Sequence, residues 1–179
     1  MTTTSTAALV LLCGCSSSGK STAAAVLRDG LGAEVVSLDA INAERGLDGG
    51  RGIAVREWVR TNDEARTRAA ALLRGGRVVV VDDTASLRFL RDAWREVAAR
   101  AGARFVLVHL DVPHAVLRAR VAANRASGRR SDVTDAVLEE HLASFEPPAP
   151  EEAALVALPD DDGGQLLARV RSAVAIRVK

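Results

Sequence analysis

The chain has 179 residues, and its 24 Lys and Arg residues nearly balance its 23 Asp and Glu residues. This length predicts a single domain over residues 1–179, and the charge balance excludes a generally basic protein that coats nucleic acid. Aromatic residues make up only 3% of the chain, fewer than a stacking surface for single-stranded nucleic acid needs. The longest apolar run is too short to span a bilayer, so no membrane partner is expected.

Apolar segments predict five short β-strands, at residues 8–13, 34–38, 78–81, 104–110 and 154–158. The third segment consists of four valines, which is typical of a strand that is buried on both faces of a parallel sheet. Helical patterns lie between the strands, at residues 22–28, 53–73, 87–100, 113–125, 133–145 and 165–174. The alternation of strands and helices predicts an α/β fold with a parallel sheet.

Turn residues set the predicted ends of these elements. Gly30 is a predicted C-cap of the first helix, and Pro147 with Pro148 stops the helix at 133–145. The polar, glycine-rich residues 42–52 and the basic residues 126–132 are predicted loops.

A complete P-loop pattern lies between the first predicted strand and the first predicted helix, which is the context the motif requires. Glycines let successive backbone N–H groups point at phosphate oxygens, and the helix N-terminus adds partial positive charge. Lys20 is predicted to reach the β- and γ-phosphates, and the Ser21 hydroxyl to bind Mg²⁺. The alternative is a chance match in a Ser- and Gly-rich loop. The predicted nucleotide-binding residues are Gly14, Cys15, Ser16, Ser17, Ser18, Gly19, Lys20, Ser21 and Thr22.

Asp39 ends the second predicted strand. Ligands of open parallel sheets bind beyond the carboxyl ends of the strands, so a carboxylate there can take a proton from an attacking hydroxyl. The alternative is that Asp39 caps the turn that follows.

Asp82 and Asp83 follow the strand of valines. A carboxylate beside a P-loop strand holds Mg²⁺ or a water bound to it in sites of this kind. Because adjacent residues of a strand point to opposite sides, only one of the two is expected to face the metal. The other is a candidate cap for the helix that begins near Leu87.

Five arginines lie within thirteen residues near the predicted basic loop: Arg118, Arg120, Arg125, Arg129 and Arg130. Such a cluster is predicted to form a lid over about residues 120–132, because phosphoryl transfer needs cations that close over the nucleotide. The alternative is a solvated basic face.

Only two cysteines are present, Cys13 and Cys15. They form no disulfide framework and have no zinc-ligand spacing, so a reducing, cytoplasmic compartment is expected.

Five segments together resemble the small P-loop (AAA-type) kinases, the group that contains seryl-tRNA kinase, polynucleotide 5′-kinase and the zeta-toxin-type kinases. The segments are the P-loop at 14–21, SLDAI at 37–41, VVVVDDT at 78–84, RVAANR at 120–125 and FEPP at 145–148. The last has no evident chemistry and is interpreted as a helix stop.

The resemblance implies a three-layer, nucleoside-monophosphate-kinase-like sandwich with a five-stranded parallel sheet and a short arginine-rich lid. It also implies ATP and Mg²⁺ as cofactors, a general-base role for Asp39, and lid roles for Arg120 and Arg125. The leading hypothesis is an ATP-dependent kinase that phosphorylates a hydroxyl of a small molecule, such as an antibiotic, nucleoside, sugar or amino-acid derivative. The alternative is an ATP-hydrolysing accessory module that acts with tRNA or a protein partner; a tRNA acceptor is not favoured.

Overall fold

The computed structural model describes residues 7–47, 52–128 and 133–175. The strands are β1 (Ala8–Cys13), β2 (Glu34–Ser37), β3 (Val78–Asp82), β4 (Arg104–Leu110) and β5 (Leu155–Ala157). The helices are α1 (Lys20–Leu31), α2 (Leu38–Glu44), α3 (Val55–Arg74), α4 (Arg88–Arg100), α5 (His114–Ala126), α6 (Asp135–Ser144) and α7 (Gly163–Ala175). A single 3₁₀ turn, Pro150–Glu152, precedes β5.

The five strands form one sheet in the order β2-β3-β1-β4-β5, and every neighbouring pair is parallel. Val10 at the middle of β1 lies opposite Val80 of β3 and Val106 of β4. The predicted five-stranded parallel sheet is therefore confirmed, and β3 lies directly beside the P-loop strand as expected.

Helices cover both faces of the sheet. Leu9 and Leu11 of β1 pack with α3 and α4, whereas Val10 and Leu12 pack with α1 and α7. All six residues of β1 are fully buried, so the strand reads as a continuous apolar run instead of an alternating one. None of the helices in the described ranges combines the length and apolar character that a bilayer span requires.

The first helix runs past its predicted end. Gly30 lies inside α1, and the left-handed C-cap is Gly32, with φ of 61°. A β-carbon on Gly30 would lie 2.3 Å from a methyl carbon of Leu167 in α7. Gly30 therefore serves the close packing of two helices, not the helix end.

Residues 38–44 form a helix where the sequence predicted the end of a strand and the beginning of a loop. The Ser37 hydroxyl accepts a hydrogen bond from the backbone N–H of Ala40 at 3.3 Å and caps α2. Leu38 and Ile41, three residues apart on one helix face, are both buried. Asp39 and Asn42 are weak helix formers, so the burial of this apolar face stabilises the helix.

The segment 145–148 holds α6 to the N-terminus of α4. Phe145 stacks on His109 with ring centroids 5.7 Å apart, and the Glu146 carboxylate accepts a hydrogen bond from the backbone N–H of Arg88 at 2.9 Å. Glu146 thus caps α4, so neither Asp82 nor Asp83 is needed as its cap. Helix α6 ends at Ser144, in agreement with the predicted stop.

Arg91 and Glu152 form an ion pair inside the protein, with side chains 0% and 1% exposed. The guanidinium binds both carboxylate oxygens, at 2.7 and 2.8 Å, and also donates to the backbone carbonyls of Ala85 and Glu146. The hydrogen bonds from Arg91, together with one from the backbone N–H of Ala149, lower the pKa of Glu152 to about 2. The pair joins α4, the turn after β3 and the 3₁₀ turn before β5.

Arg91→Met is expected to lower the free energy of unfolding by about 3–5 kcal/mol, because it leaves the Glu152 carboxylate buried without its counter-charge. Arg88→Met is the matched control: Arg88 pairs with Glu151 at 2.6 Å, but the two side chains are 44% and 59% exposed. Removing that pair should cost less than about 1 kcal/mol. Urea unfolding of both variants measures the difference, and equal losses would contradict the assignment.

The same pair predicts the pH dependence of stability. Because the folded-state pKa of Glu152 lies below its usual value of 4.5, its contribution is fully present above about pH 5 and is lost as pH falls toward 2. The stability difference between the unmodified protein and Arg91→Met should therefore shrink over this window.

Candidate functional site

Two cavities open on either side of the P-loop, at the edge where the parallel strands end. The smaller has a volume of about 420 Å³ and lies between the P-loop, α5 and the start of α7. The larger has a volume of about 700 Å³ and lies between the P-loop, α2, the start of α3, the end of β3, and α6. Ser17, Gly19 and Thr22 line both.

The P-loop backbone has positive φ angles at Ser17 and Gly19. Gly19 has φ of 101°, and as the N-cap of α1 it provides no capping side chain. Ser17 also has a positive φ, of 63°, a strained conformation that is found at ligand-binding sites. A β-carbon on Gly14 would lie 2.8 Å from the Ser18 hydroxyl and 3.0 Å from the Leu110 carbonyl. The loop therefore curls tightly and leaves the first N–H groups of α1 available to an anion.

Lys20 lies at the centre of the site. Its ammonium donates to the backbone carbonyls of Gly14 at 2.9 Å and Cys15 at 3.0 Å. Burial lowers its pKa, and the carboxylates of Asp82, Asp83 and Asp39 oppose that shift. The predicted phosphate-binding cation is thus brought together with all three predicted acidic residues.

Ser21 and Asp82 fit the chemistry of a magnesium site. The Ser21 hydroxyl donates to Asp82 Oδ2 at 2.8 Å, and both residues line the larger cavity. Mg²⁺ in nucleotide sites takes one or two protein oxygens and completes its shell with phosphate and water. Within the described ranges, no cluster of three His, Cys, Asp or Glu side chains could hold a metal, which suits this sparse donor set.

Asp83 has a different environment from Asp82. Its carboxylate accepts a hydrogen bond from Trp94 Nε1 at 3.3 Å, and the residue lines the larger cavity. Burial raises its pKa, while hydrogen bonds from the backbone N–H groups of Ala85 and Thr84 oppose the change. Of the two aspartates, Asp82 is the one bonded to Ser21, so Asp82 is the better candidate metal ligand.

Asp39 lies in the first turn of α2, not at the end of β2, and it lines the larger cavity. Its carboxylate raises the pKa of Lys20 by electrostatic attraction. Because Ser37 is the N-cap of α2, the alternative role of Asp39 as a cap is wrong.

Arg120 and Arg125 lie in different surroundings, although both are on α5. Arg120 donates to the backbone carbonyls of Ser17 at 3.3 Å and Ser18 at 3.1 Å, and it lines the smaller cavity. Arg125 forms two hydrogen bonds with Asp135, at 2.7 and 2.9 Å, and belongs to neither cavity lining. The structure therefore brings Arg120 to the P-loop and does not bring Arg125 there.

The rest of the predicted lid adds little at the site. Arg118 is paired with Glu139 at 2.7 Å on the surface, whereas Arg129 and Arg130 lie outside the described residues. The catalytic roles of Arg120 and Arg125 stay predictions.

Arg120→Ala is expected to weaken ATP binding about tenfold, since a cation beside the P-loop is removed from the phosphates. Arg125→Ala is the matched variant on the same helix, and its effect should be within twofold, because Asp135 already neutralises that guanidinium. Calorimetric titration with a non-hydrolysable ATP analogue measures both affinities. Equal weakening by the two substitutions would contradict the distinction between Arg120 and Arg125.

A hydrogen bond between Ser16 and His141 joins the P-loop to α6. Ser16 Oγ lies 2.7 Å from His141 Nδ1, and burial lowers the pKa of His141. His141 and its neighbour Glu140 both line the larger cavity. Neither residue belongs to a sequence motif; the only sequence signal is their position on the helix that follows the predicted lid.

Arg45, in the predicted loop at residues 42–52, has a structural role. It forms an ion pair with Glu57 and hydrogen bonds with the Thr61 hydroxyl and the Glu57 carbonyl. These contacts join α2 to α3 and keep Arg45 out of both cavity linings.

The sequence matches the family model described as an AAA domain over residues 9–148. The chain belongs to this AAA domain family. No curated protein matches the chain.

Solved structures with the fold of this AAA domain protein include several kinases. An APS kinase from Mycobacterium tuberculosis, in complex with AMPPNP and APS, is 22% identical with a TM-score of 0.73, over 94% of this chain and 97% of that chain. A gluconokinase from Sinorhizobium meliloti is 19% identical with a TM-score of 0.69, over 95% and 93%. Kti12 from Chaetomium thermophilum, in complex with ADP-AlF3, is 19% identical with a TM-score of 0.73, over 93% and 99%. The predicted resemblance to small P-loop kinases is confirmed at the level of fold.

Proposed function

We propose that the protein is an ATP-dependent kinase that transfers the γ-phosphoryl group to a hydroxyl of a small molecule. The observation that carries this proposal is the larger cavity. It extends from Lys20 and Ser21 past Asp39 to the first turns of α3, so an acceptor has room beside the phosphates. A simple hydrolase needs space only for water.

The residues divide the reaction between them. The P-loop N–H groups and Lys20 bind the phosphates and stabilise the charge that develops on the γ-phosphoryl group. Asp39 takes the proton of the acceptor hydroxyl as the hydroxyl oxygen bonds to the γ-phosphorus. The bond between this phosphorus and the β–γ bridging oxygen breaks at the same time, and ADP is released. Mg²⁺ held by Ser21 and Asp82 would neutralise phosphate charge. Adenosine would occupy the smaller cavity.

The two free, buried cysteines fit a cytoplasmic location.

The test is a screen of ADP formation with ATP, Mg²⁺ and a panel of hydroxyl-bearing metabolites, followed by mass spectrometry for a gain of one phosphate. The expected result is ADP formation that depends on one class of acceptor. ADP formation without any phosphorylated product, across the whole panel, would contradict a kinase.

A second candidate is an ATP-hydrolysing accessory module that acts with tRNA or a protein partner, and the likeness to Kti12 favours it. Total tRNA in the same panel separates the two. Stimulation of ADP release by tRNA without phosphate on the RNA would support the module, whereas a phosphorylated small molecule would support the kinase.

A further inference from the structure

His141 on α6 contacts the P-loop through one of its two ring nitrogens. Nδ1 lies 2.7 Å from Ser16 Oγ, and the other nitrogen, Nε2, has no hydrogen-bond partner among the described residues. In those same ranges, the fully buried side-chain atoms that lack a partner are Ser18 Oγ and Asn42 Nδ2. Nε2 is therefore exposed to solvent, on a residue that lines the larger cavity.

The packing of α6 holds the His141 ring in this place. Leu138, one turn before His141, is fully buried in a cluster that includes Cys15 of the P-loop. Phe145, directly after the helix, stacks on His109 of β4. The ring is thus presented to the P-loop by a helix that is anchored along its buried face and at its C-terminal end, as a side chain with a precise role requires.

The two cavities give a bound nucleotide a direction. With adenosine in the smaller cavity, its phosphate chain would pass the residues that line both cavities and end on the side of the larger one. Of the two linings, Ser16, Lys20 and Ser21 belong only to the larger. The γ-phosphoryl group would therefore lie beside these three residues, and Ser16 is the one that is bonded to His141.

The protonation of His141 decides what Nε2 can do there. Burial lowers the pKa of His141 from its usual 6.5; Glu140 opposes this change, and the Lys20 ammonium adds to it. At neutral pH the ring is therefore uncharged and carries a single proton, on one of its two nitrogens. If Nδ1 accepts the hydrogen bond of the Ser16 hydroxyl, the proton is on Nε2, which is then a donor for an anion at the P-loop.

We propose that His141 is a catalytic residue whose Nε2–H donates a hydrogen bond to the γ-phosphoryl group, and that Ser16 is the positioning residue that selects this tautomer. The inference rests on the proposed kinase function and adds a residue to its machinery. His141 transfers no proton in this role; it stabilises the charge on the γ-phosphoryl oxygens during transfer. ADP lacks this group and makes no such contact.

The first test compares ADP with the non-hydrolysable ATP analogue AMPPNP by calorimetry, which needs no phosphoryl transfer. His141→Ala should weaken AMPPNP binding about tenfold and ADP binding less than about twofold, because only AMPPNP has the group that Nε2 would bind. Equal weakening of both would show that His141 only anchors α6, and would overturn the proposal. His114→Ala is the control, since His114 is exposed at the start of α5 and lines neither cavity.

Two further variants separate the ring nitrogens. The amide group of Asn lies about where Nδ1 is, so His141→Asn can keep the hydrogen bond with Ser16 but has no donor in place of Nε2. The longer side chain of Gln brings an N–H close to the position of Nε2. His141→Asn should lower phosphoryl transfer about 10²-fold, whereas His141→Gln should retain most of it, together with the ratio of AMPPNP to ADP affinity. The reverse order would overturn the proposal.

Imidazole ¹⁵N NMR detects the tautomer directly. The chain has three histidines, so single substitutions assign each signal. AMPPNP should shift the Nε2 signal of His141, with the proton on Nε2, and ADP should leave that signal in place. A proton on Nδ1 in the AMPPNP complex would overturn the proposal. Ser16→Ala should give a mixture of the two tautomers in the free protein, and retention of the pure Nε2–H form would overturn the positioning role of Ser16.

The two proposals fail in different ways. An affinity loss and a signal shift that are specific to AMPPNP, without phosphorylation of any acceptor in the panel, would support the His141 contact and contradict the kinase function. A phosphorylated acceptor together with unchanged transfer in His141→Ala would support the kinase and overturn the contact.

Discussion

Lys20→Ala is expected to reduce phosphoryl transfer on the order of 10³-fold, since it removes the cation that stabilises the transferring phosphoryl group. The folded structure should be retained. The ammonium donates to the backbone carbonyls of Gly14 and Cys15, and both belong to a loop that the neighbouring strands and helices hold in place. Steady-state assays of ADP formation and thermal unfolding of the same sample give the two readouts.

Arg28→Ala is a suitable control for Lys20→Ala, because Arg28 lies on the same helix and forms an exposed pair with Asp29. Its activity should match that of the unmodified protein. If Lys20→Ala also retained near-normal turnover, the interpretation of residues 14–21 as the catalytic P-loop would be wrong.

Asp39→Asn is expected to lower transfer to the acceptor by about 10²–10⁴-fold, the usual contribution of a general base. Nucleotide affinity should hardly change, because Asp39 lines the larger cavity and the predicted adenosine site is the smaller one. Slow hydrolysis of ATP should fall less, since water can release its proton to solvent after attack. Single-turnover measurements with and without acceptor separate the two reactions.

Ser37→Ala is the matched control for Asp39→Asn on α2. It removes the side-chain cap of the helix and should lower stability by about 1 kcal/mol, with transfer preserved. Unchanged transfer in Asp39→Asn would move the search for the base to the other carboxylates that line the cavity, and Glu140 would be the first to test.

The sequence predicts the sheet and the phosphate site because both depend on local patterns. Four consecutive valines mark β3, and the glycines, Lys20 and Ser21 have fixed spacing within eight residues. The positions of Asp39 and Asp82 near Lys20 then follow from the geometry of parallel strands, whose carboxyl ends meet at one edge of the sheet.

Features that depend on distant parts of the chain have no such pattern. Ser16 and His141 are 125 residues apart, and Arg91 and Glu152 are 61 apart. The sequence predicts a helix end at Gly30, and only the packing of α7 against this residue shows why a glycine is needed there. Likewise, Arg125 belongs to the arginine cluster that predicts a lid, and only the folded structure shows that its guanidinium binds Asp135.

The central position of β1 has a consequence for synthesis of the chain. Its partners come much later, since Ala8 pairs with Val78 and Arg104. A ribosome adds about 5–20 residues per second. The six apolar side chains of β1 are therefore synthesised several seconds before either neighbouring strand. A nascent chain that stops before β4 leaves one edge of β1 unpaired, and such edges template association with other chains. We therefore expect stalled or truncated products to aggregate, and cells to need a chaperone at this stage of translation.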